Sequence, residues 1–241
     1  MTSLLEPLGA ILFRWRNIIF PVLVILLYAS MRPAVTIFGS AWLEGAADVL
    51  GLVLIVLGLL IRMSVIGYIY VPRDGDNKTA HANELFTGGM FALSRNPLYV
   101  GNLCLYTGVF LLHGALFVLI GGVALFWLIY QAIIANEERF LRGKFGTDYA
   151  AYCARVPRWL STRLPFAEVR KNMRFDAGQA IKTEYNVISQ AILIVALSVW
   201  YEAATSWPPL VSWVLLAGLV GFVALMKWIK ANDRANGANL T

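Results

Sequence analysis

Charged residues are scarce in this chain of 241 residues: they make up 14% of it, against roughly 25% in ordinary globular proteins. So few charges cannot cover the water-exposed surface of a soluble domain of this size. The hydrophobic fraction of 59% and the mean hydropathy of +0.67 indicate a lipid environment instead. The composition therefore excludes a soluble globular domain, a disordered chain, a fibrous repeat and a secreted disulfide scaffold, and it predicts an integral membrane protein.

Cysteine and histidine are equally scarce, with two residues of each. Cys104 lies in an apolar run and Cys153 in a basic segment, so nothing indicates a disulfide pair. His81 and His113 are far apart, and the short spacings that typify a zinc site are missing. We expect neither a disulfide nor a metal site.

The net charge of +6 comes from basic residues that cluster in alternate loops. Ten of the 20 lysines and arginines lie between Arg139 and Lys182, and only Arg32 falls on the opposite side of the predicted membrane. This alternation is the positive-inside pattern of membrane proteins. We therefore expect cytoplasmic basic loops and no nucleic-acid partner.

Apolar segments divide the chain into six predicted transmembrane helices. The uncharged stretch 96–136 has about twice the roughly 20 residues of one span, so we expect two helices with a turn at His113-Gly114. An even number of spans puts both termini on one side, here the cytoplasmic one. The predicted fold is an all-α polytopic membrane helix bundle. The other spans are 17–31, which Pro21 interrupts early, 48–72, 185–201 and 203–226, the last two joined at Trp207-Pro208-Pro209.

The six spans group into four regions with different expected roles. The second to fourth spans and the loops around them carry the most specific motifs, so they form the expected core. The regions are 1–45 (an interfacial segment and the first span), 46–160 (the core with a cytoplasmic segment), 161–184 (a linker) and 185–241 (a C-terminal hairpin and tail).

Two features of the core have both a structural and a functional interpretation. Phe145, Tyr149, Tyr152 and Arg155 recur at helical spacing, which predicts an amphipathic helix on the membrane surface. Its aromatic stripe serves either packing or the wall of a cofactor pocket. Arg62 lies about midway along the second span, where a guanidinium is costly unless it reaches the interface or finds a partner.

The third span opens with Arg95, Asn96 and Pro97. Asn96 is a favoured helix N-cap, Pro97 suits the first helical turn, and Arg95 would then anchor the helix at the lipid headgroups. Alternatively, the free amides of this helix start and Arg95 form a site for a cofactor carboxylate or phosphate.

The fourth span ends with the adjacent carboxylates Glu137 and Glu138. One interpretation is a solvated pair, with Glu138 reaching Arg142 one turn later. However, carboxylates at a helix C-terminus face the negative end of the helix dipole, so they favour a positively charged partner. A sulfonium, an ammonium or the hydroxyl pair of a ribose would each suit them.

With these motifs, the sequence resembles the integral-membrane methyltransferases of the isoprenylcysteine carboxyl methyltransferase and phospholipid methyltransferase group. Their pattern is a glycine-containing lead-in, Arg-His-Pro-x-Tyr-x-Gly opening one span, an acidic pair closing the next, and then Phe-Gly-x-x-Tyr-x-x-Tyr and a Val-x-Arg segment with proline. The match covers about 58–158; it departs at Asn96, which replaces the usual histidine, and at the 185–226 hairpin beyond the shared core. The matching residues are Gly88, Gly89, 95–101, Glu137, Glu138, Phe145, Gly146, Tyr149, Tyr152 and 156–158.

This resemblance implies S-adenosylmethionine as cofactor, bound between the cytoplasmic ends of the third and fourth spans. Its carboxylate would suit Arg95, and its ammonium, sulfonium or ribose would suit Glu137 and Glu138. The acceptor would be lipophilic and enter from the bilayer: a prenylated carboxylate, a lipid amine or a hydrophobic thiol. The implied cofactor-binding residues are Gly89, Arg95, Asn96, Pro97, Tyr99, Gly101, Glu137, Glu138, Tyr149 and Tyr152.

The implied catalytic residues depend on the acceptor. A carboxylate arrives ionised, and Arg62, Arg155 or Arg158 would hold it; an amine must lose a proton, and Glu138 is the first candidate base. Membrane lipids are the expected surroundings, and the 185–226 hairpin would shape a lipid portal or the face of a homodimer. We expect a bacterial inner membrane or its equivalent, with the active site on the cytoplasmic side.

Two other functions stay open. Membrane enzymes of the sterol-reductase type share a similar helix arrangement but use NADPH, whose 2′-phosphate favours dense arginine and lysine and is repelled by Glu137 and Glu138. A membrane scaffold or transporter is the non-enzymatic alternative, although the uncharged spans offer little machinery for an ion relay.

Overall fold

The computed structural model describes residues 2–34, 36–69, 85–160 and 175–206, and residues 214, 217–218 and 221 beyond them. Within these ranges the regular elements are all helical, as predicted, and β-type pairing is confined to an isolated bridge between Ile37 and Ser40. The elements are α1 (Thr2–Ser30), α2 (Ala41–Ile69), a short 3₁₀ helix (Gly89–Ala92), α3 (Pro97–Leu112), α4 (Leu116–Arg155) and α5 (Ala177–Ser206).

Four of the described helices are long and apolar enough to cross a membrane. α3 is also apolar but has 16 residues, which at about 1.5 Å per residue is shorter than the roughly 30 Å hydrocarbon core. The predicted turn at His113-Gly114 separates α3 from α4, and Gly114 adopts a φ of +73° there. The predicted span 203–226 and its turn at 207–209 lie almost entirely outside the described residues. The four candidate spans are Pro7–Ser30, Ala41–Tyr68, Leu116–Arg155 and Ala177–Trp200.

Two helices differ from the sequence prediction, α1 in its continuity and α5 in its first residue. α1 is continuous through Pro21, which was expected to interrupt it. Membrane helices tolerate proline because neighbouring groups can satisfy the backbone carbonyl that it leaves free. α5 begins at Ala177, eight residues before the expected start, because Asp176 caps it: the Gln179 amide donates to Asp176 Oδ1 at 2.9 Å.

α2 and α3 approach each other closely along a seam of glycines. A Cβ atom at Gly58 would lie 2.6 Å from the carbonyl oxygen of Gly101, and one at Gly108 would lie 2.5 Å from that of Gly51. A Cβ atom at Gly101 would also lie 2.8 Å from Cγ of Arg62. Gly101 therefore admits the α2 backbone, as small residues do between membrane helices. The contact of Gly101 with a cofactor stays a prediction.

α1 packs on α3 and α4 through aromatic rings. Phe20 of α1 makes edge contacts with Phe126 and Tyr130 of α4, with ring centroids 5.3 and 5.6 Å apart. Tyr106 of α3 lies 4.1 Å from Phe126 by the same measure. These buried rings fix where α4 carries its polar residues.

At the other end of these helices, the turn after α3 holds the end of α1. The Tyr28 hydroxyl donates to the Val109 carbonyl at 2.6 Å, and the Ala34 amide donates to the His113 carbonyl at 3.0 Å. His113 Nε2 lies 3.3 Å from the Tyr28 carbonyl and 3.2 Å from that of Met31. Burial lowers the pKa of His113 and the two carbonyls raise it by less, so the ring is held neutral.

The chain divides into two compact units, Met1–Glu184 and Tyr185–Thr241. α4 breaks at Gly146, whose φ of +49° and ψ of −116° are open to glycine but strained for other residues. The helical segment after this break carries Tyr149 and Tyr152. All the polar clusters described below lie in the first unit.

Candidate active site

The segment that leads into α3 is anchored to the chain that follows α4. Gly89 has a φ of +58° and starts the 3₁₀ helix, which only glycine does without strain. The Tyr152 hydroxyl donates to the Phe91 carbonyl at 2.8 Å, and the Arg95 amide donates to the Pro157 carbonyl at 3.0 Å. These bonds bring two sequence motifs, about 60 residues apart, into one site.

Asn96 stands at the N-cap position of α3, but its side chain does not cap the helix. Its Nδ2 donates instead to the carbonyl oxygen of Arg158 at 2.9 Å, and its amide donates to Ser94 Oγ at 3.0 Å. The expected side-chain cap is therefore wrong. The hydrogen bond from Nδ2 to the Arg158 carbonyl sets the orientation of the side chain, and Oδ1, the atom that would cap the helix, makes no capping bond.

Glu138 is buried and lies among three arginines. Arg158 binds both of its oxygens, with Nε 3.0 Å from Oε1 and Nη2 2.6 Å from Oε2. Arg95 Nη1 lies 3.2 Å from Oε1, and Arg142 Nη2 lies 3.6 Å from Oε2, as the spacing of four residues predicted. The solvated interpretation is wrong for Glu138, which is only 4% exposed. One negative charge thus faces three positive ones.

Arg95 connects this cluster with the helix after the α4 break. Its Nη1 also lies 2.7 Å from Sγ of Cys153, and its Nε is buried without a hydrogen-bond partner among the described residues. Burial by itself lowers the pKa of Arg95, but the Glu138 carboxylate and Cys153 raise it by more. Arg95 therefore stays a cation with an unused donor.

Glu137 has different surroundings from Glu138. It is half-buried, and its Oε1 accepts a hydrogen bond from the Tyr99 hydroxyl at 2.7 Å. Tyr99 in turn packs on Tyr130, with ring centroids 5.0 Å apart. The carboxylate of Glu137 is thus positioned from the first turn of α3.

These side chains line a cavity of about 260 Å³ between the lead-in to α3 and the C-terminal half of α4. Its volume is close to the lower end of the roughly 300–1,000 Å³ typical of small-molecule sites. Hydrophobic residues complete the wall beside the polar ones. The polar lining comes from Arg95, Asn96, Glu137, Glu138, Tyr149 and Tyr152, all six of which were predicted from the sequence.

The other predicted residues lie around or away from this cavity. Gly89 and Pro97 shape the segment that carries Arg95, and Tyr99 reaches the cavity through Glu137. Arg158 binds Glu138 but is not among the residues that line the cavity. Arg155 is exposed and does not line the cavity, and Gly101 belongs to the α2–α3 seam.

Arg62 is part of a separate buried cluster. Its Nε and Nη2 bind the two oxygens of Glu184 at 2.7 and 2.8 Å, and its Nη1 donates to the side-chain oxygen of Asn102. Glu184 is 3% exposed. Arg62 therefore neither snorkels alone nor faces the cavity, because a carboxylate at the start of α5 neutralises it.

Some residues of the site were not predicted. Gln131 accepts a hydrogen bond from Arg158 Nη1 at 3.3 Å, and its place two helical turns before Glu138 was an available signal. Cys153, one residue after Tyr152, had no predicted role in the site. Phe145 lines the cavity as a member of the predicted aromatic stripe. The other apolar lining residues had only their proximity to the motifs as a signal: Leu85, Phe86, Phe91 and Leu141.

Comparison with known proteins agrees with the motifs. Residues 46–148 match the family model of the phospholipid methyltransferases. The matched range includes Arg95, Asn96, Glu137 and Glu138, whereas α1 and the Arg158 segment lie outside it. The predicted resemblance is thereby confirmed over these residues, which make up less than half of the chain.

A curated relative gives a weaker comparison. The cobalt-zinc-cadmium resistance protein CzcN of Cupriavidus metallidurans is 30% identical over 143 residues, which is 59% of this chain and 60% of the relative. The chain thus spans about three fifths of the length of that relative. No solved structure matches this chain significantly.

Proposed function

We propose that this protein transfers a methyl group from S-adenosylmethionine to a lipophilic acceptor in the membrane. The family of residues 46–148 supports methyl transfer, and the excess of positive charge around Glu138 supports the cofactor. That excess is the single observation on which the cofactor assignment depends. Three guanidinium groups on one carboxylate leave room for a second anion, and the amino-acid carboxylate of S-adenosylmethionine is one.

The cavity has suitable groups for the rest of this cofactor. Arg95 offers its unused Nε and would hold the carboxylate by a charge-assisted hydrogen bond. Glu137 would accept from the ammonium group or the ribose, and Tyr149 and Tyr152 would enclose the bound molecule. When bound, the cofactor supplies an activated methyl group on a sulfonium. The protein contributes alignment of the two reactants and exclusion of water.

The membrane arrangement is part of the same proposal. We place six spans in the bilayer with both termini and the cavity on the cytoplasmic side, because the basic clusters then share one side. The segment after Gly146 would lie on the membrane surface. The acceptor would enter laterally from the lipid, and the residues beyond 184 would shape that route or a homodimer face.

NADPH is a second candidate cofactor because arginines are dense beside the cavity. Its 2′-phosphate would suit Arg95, Arg142 and Arg158, although Glu138 already binds all three. The family match favours methyl transfer over reduction.

Equilibrium binding of labelled S-adenosylmethionine and of NADPH to the purified full-length protein separates these candidates. We expect saturable S-adenosylmethionine binding that excess NADPH does not displace. Saturable NADPH binding without S-adenosylmethionine binding would favour the reductase. Binding of neither would favour a scaffold, and transfer of labelled methyl to membrane lipid extract would then be absent as well.

A further inference from the structure

A second cavity adjoins the first one where α1 passes α4. It measures about 750 Å³, and Phe13 of α1 faces Glu137, Phe140 and Gly143 of α4 across it. The two helices are in contact one turn before Phe13, since a Cβ atom at Gly9 would collide with the carbonyl of Ala132. This cavity and the one beside Arg95 share one residue with a titratable side chain, Glu137.

A shared wall is what a transfer between two bound molecules requires. In-line displacement needs the donor and the nucleophile on opposite sides of the transferred carbon. If the cofactor occupies the cavity beside Arg95, an acceptor in the α1–α4 cavity meets it at Glu137. The rings of Phe13 and Phe140 offer an apolar surface for an alkyl chain, and Arg139 and Lys144 mark the level of the headgroups.

Glu137, rather than Glu138, is free to exchange a proton. Both oxygens of Glu138 are bound by arginines, whereas Glu137 accepts one hydrogen bond from Tyr99 and interacts with Arg16 through the charge alone. A carboxylate acceptor would be repelled by Glu137. A nucleophile that carries a proton, such as an amine, would be attracted to it and could lose the proton to it.

We propose that the α1–α4 cavity binds the methyl acceptor and that Glu137 takes the proton from its nucleophile; this inference rests on the proposed function. The protonated amine first gives its proton to a Glu137 oxygen, and the nitrogen lone pair that is thereby freed forms the bond to the methyl carbon. The carbon–sulfur bond breaks as this bond forms, and its electron pair stays on sulfur. α1 lies outside the family-matched residues 46–148, so part of this acceptor site is a feature of this chain beyond the matched segment.

The location is tested with a decylamine that carries a diazirine on its alkyl chain, used on the full-length protein in detergent. The saturable photolabelling is the fraction of the total labelling that an excess of unmodified decylamine abolishes. A side chain at Gly143 meets open space, so Gly143→Trp fills the cavity without a clash, and Gly121→Trp in the same helix is the matched control. We expect Gly143→Trp to lower saturable labelling of residues 136–144 at least tenfold, and the control to leave it unchanged.

Labelling that Gly143→Trp leaves intact, or that concentrates outside 136–144, would overturn the location. S-adenosylmethionine affinity is measured on the same samples and should stay within twofold in both variants. A wild-type protein that labels as expected but binds no S-adenosylmethionine would contradict the proposed function and not the location. The two failures are therefore distinguishable.

The role of Glu137 is tested by methyl transfer to decylamine and to decanoate. At saturating S-adenosylmethionine we expect transfer to decylamine only and a rate at least 100-fold lower in Glu137→Gln, since a general base typically contributes 10²–10⁴-fold. Glu137→Asp keeps a carboxylate and should recover part of the rate. Transfer to decanoate, no transfer to decylamine by cofactor-bound protein, or an unaffected Glu137→Gln would each overturn the assignment.

Discussion

Two buried glutamates of this protein are paired in opposite ways. Glu184 has one arginine, Arg62, and Asn102 takes a further donor of that arginine, so the charges cancel. Glu138 has three arginines, and only one charge of the three is cancelled. The balanced pair lies among packed helices, whereas the unbalanced cluster lies beside a cavity. The neutral pair of Arg62 and Glu184 therefore contributes to helix packing, whereas the excess positive charge around Glu138 lies beside the cavity.

The energetic reason lies in desolvation. A buried ion pair roughly balances the cost of removing two charges from water, but a buried charge without a partner does not. A surplus of cations at Glu138 is therefore tolerable only where solvent or an anion can reach it, and the cavity provides that access. Each prediction below changes one side of this comparison, from the largest expected effect to the smallest.

Replacing Glu184 by Leu should have the largest effect on stability. It leaves the Arg62 guanidinium unpaired inside a spanning helix, and breaking a buried pair in this way costs about 3–5 kcal/mol. The free energy of unfolding in detergent measures this cost. The double variant Arg62→Met with Glu184→Leu removes both charges and should recover most of it. Equal stability of the single and double variants would show that the charge of Glu184 does not offset that of Arg62.

Replacing Arg95 by Gln should act on the cofactor more than on the fold. The Glu138 cluster keeps two arginines, so stability should change little. The variant loses a charged hydrogen bond of about 1.5–3 kcal/mol, hence at least a tenfold weaker affinity for S-adenosylmethionine. Arg32→Gln is the charge-matched control away from the cavity. Unchanged affinity in Arg95→Gln would show that the carboxylate of S-adenosylmethionine does not bind at this cluster.

Replacing Asn96 by Ala should lower the free energy of unfolding by about 0.5–1.5 kcal/mol, the typical value of one hydrogen bond. The lost bond is the one to the Arg158 carbonyl, and not a helix cap. Asn96→His can donate to the same carbonyl and should recover at least half of the loss. A new ionisation near pH 6–7 in the methyl-transfer profile of Asn96→His would instead indicate a role in proton transfer.

Replacing Arg142 by Gln should have the smallest effect. Its side chain is 64% exposed and its ion pair with Glu138 spans 3.6 Å along one helix, so we expect at most about 0.5 kcal/mol in unfolding free energy. Titration of thermal unfolding with salt checks this value. A loss as large as that expected for Glu184→Leu would mean that Glu138 depends on all three arginines.

The sequence predicted what local spacing controls. The turn at His113-Gly114 followed from the length of one uncharged stretch, and the contact between Glu138 and Arg142 followed from their spacing of four residues. The pairing of Arg62 with Glu184 did not follow, because the two are 122 residues apart and no periodicity relates them.

Asn96 shows the same limit within the site. Its preference for a helix N-cap is real, but it is worth about 1 kcal/mol, and the bond from its Nδ2 to a carbonyl 62 residues away sets the orientation of the side chain instead. The polar lining of the cavity was predictable because the motifs name those residues. Their mutual distances were not, since they depend on where the chain after Pro157 returns.

The attachment of α1 to the turn after α3 has a consequence for biosynthesis. Tyr28 is made 81 residues before its partner Val109, which at about 5–20 residues per second is a delay of roughly 4–16 seconds. During that interval α1 lacks the hydrogen bond that attaches its end to α3. Its segment Pro7–Ser30, with a mean hydropathy of 1.9, is long and apolar enough to cross a membrane without that contact. Polar substitutions on α1 would therefore lower the yield of inserted protein even where they leave the finished bundle intact.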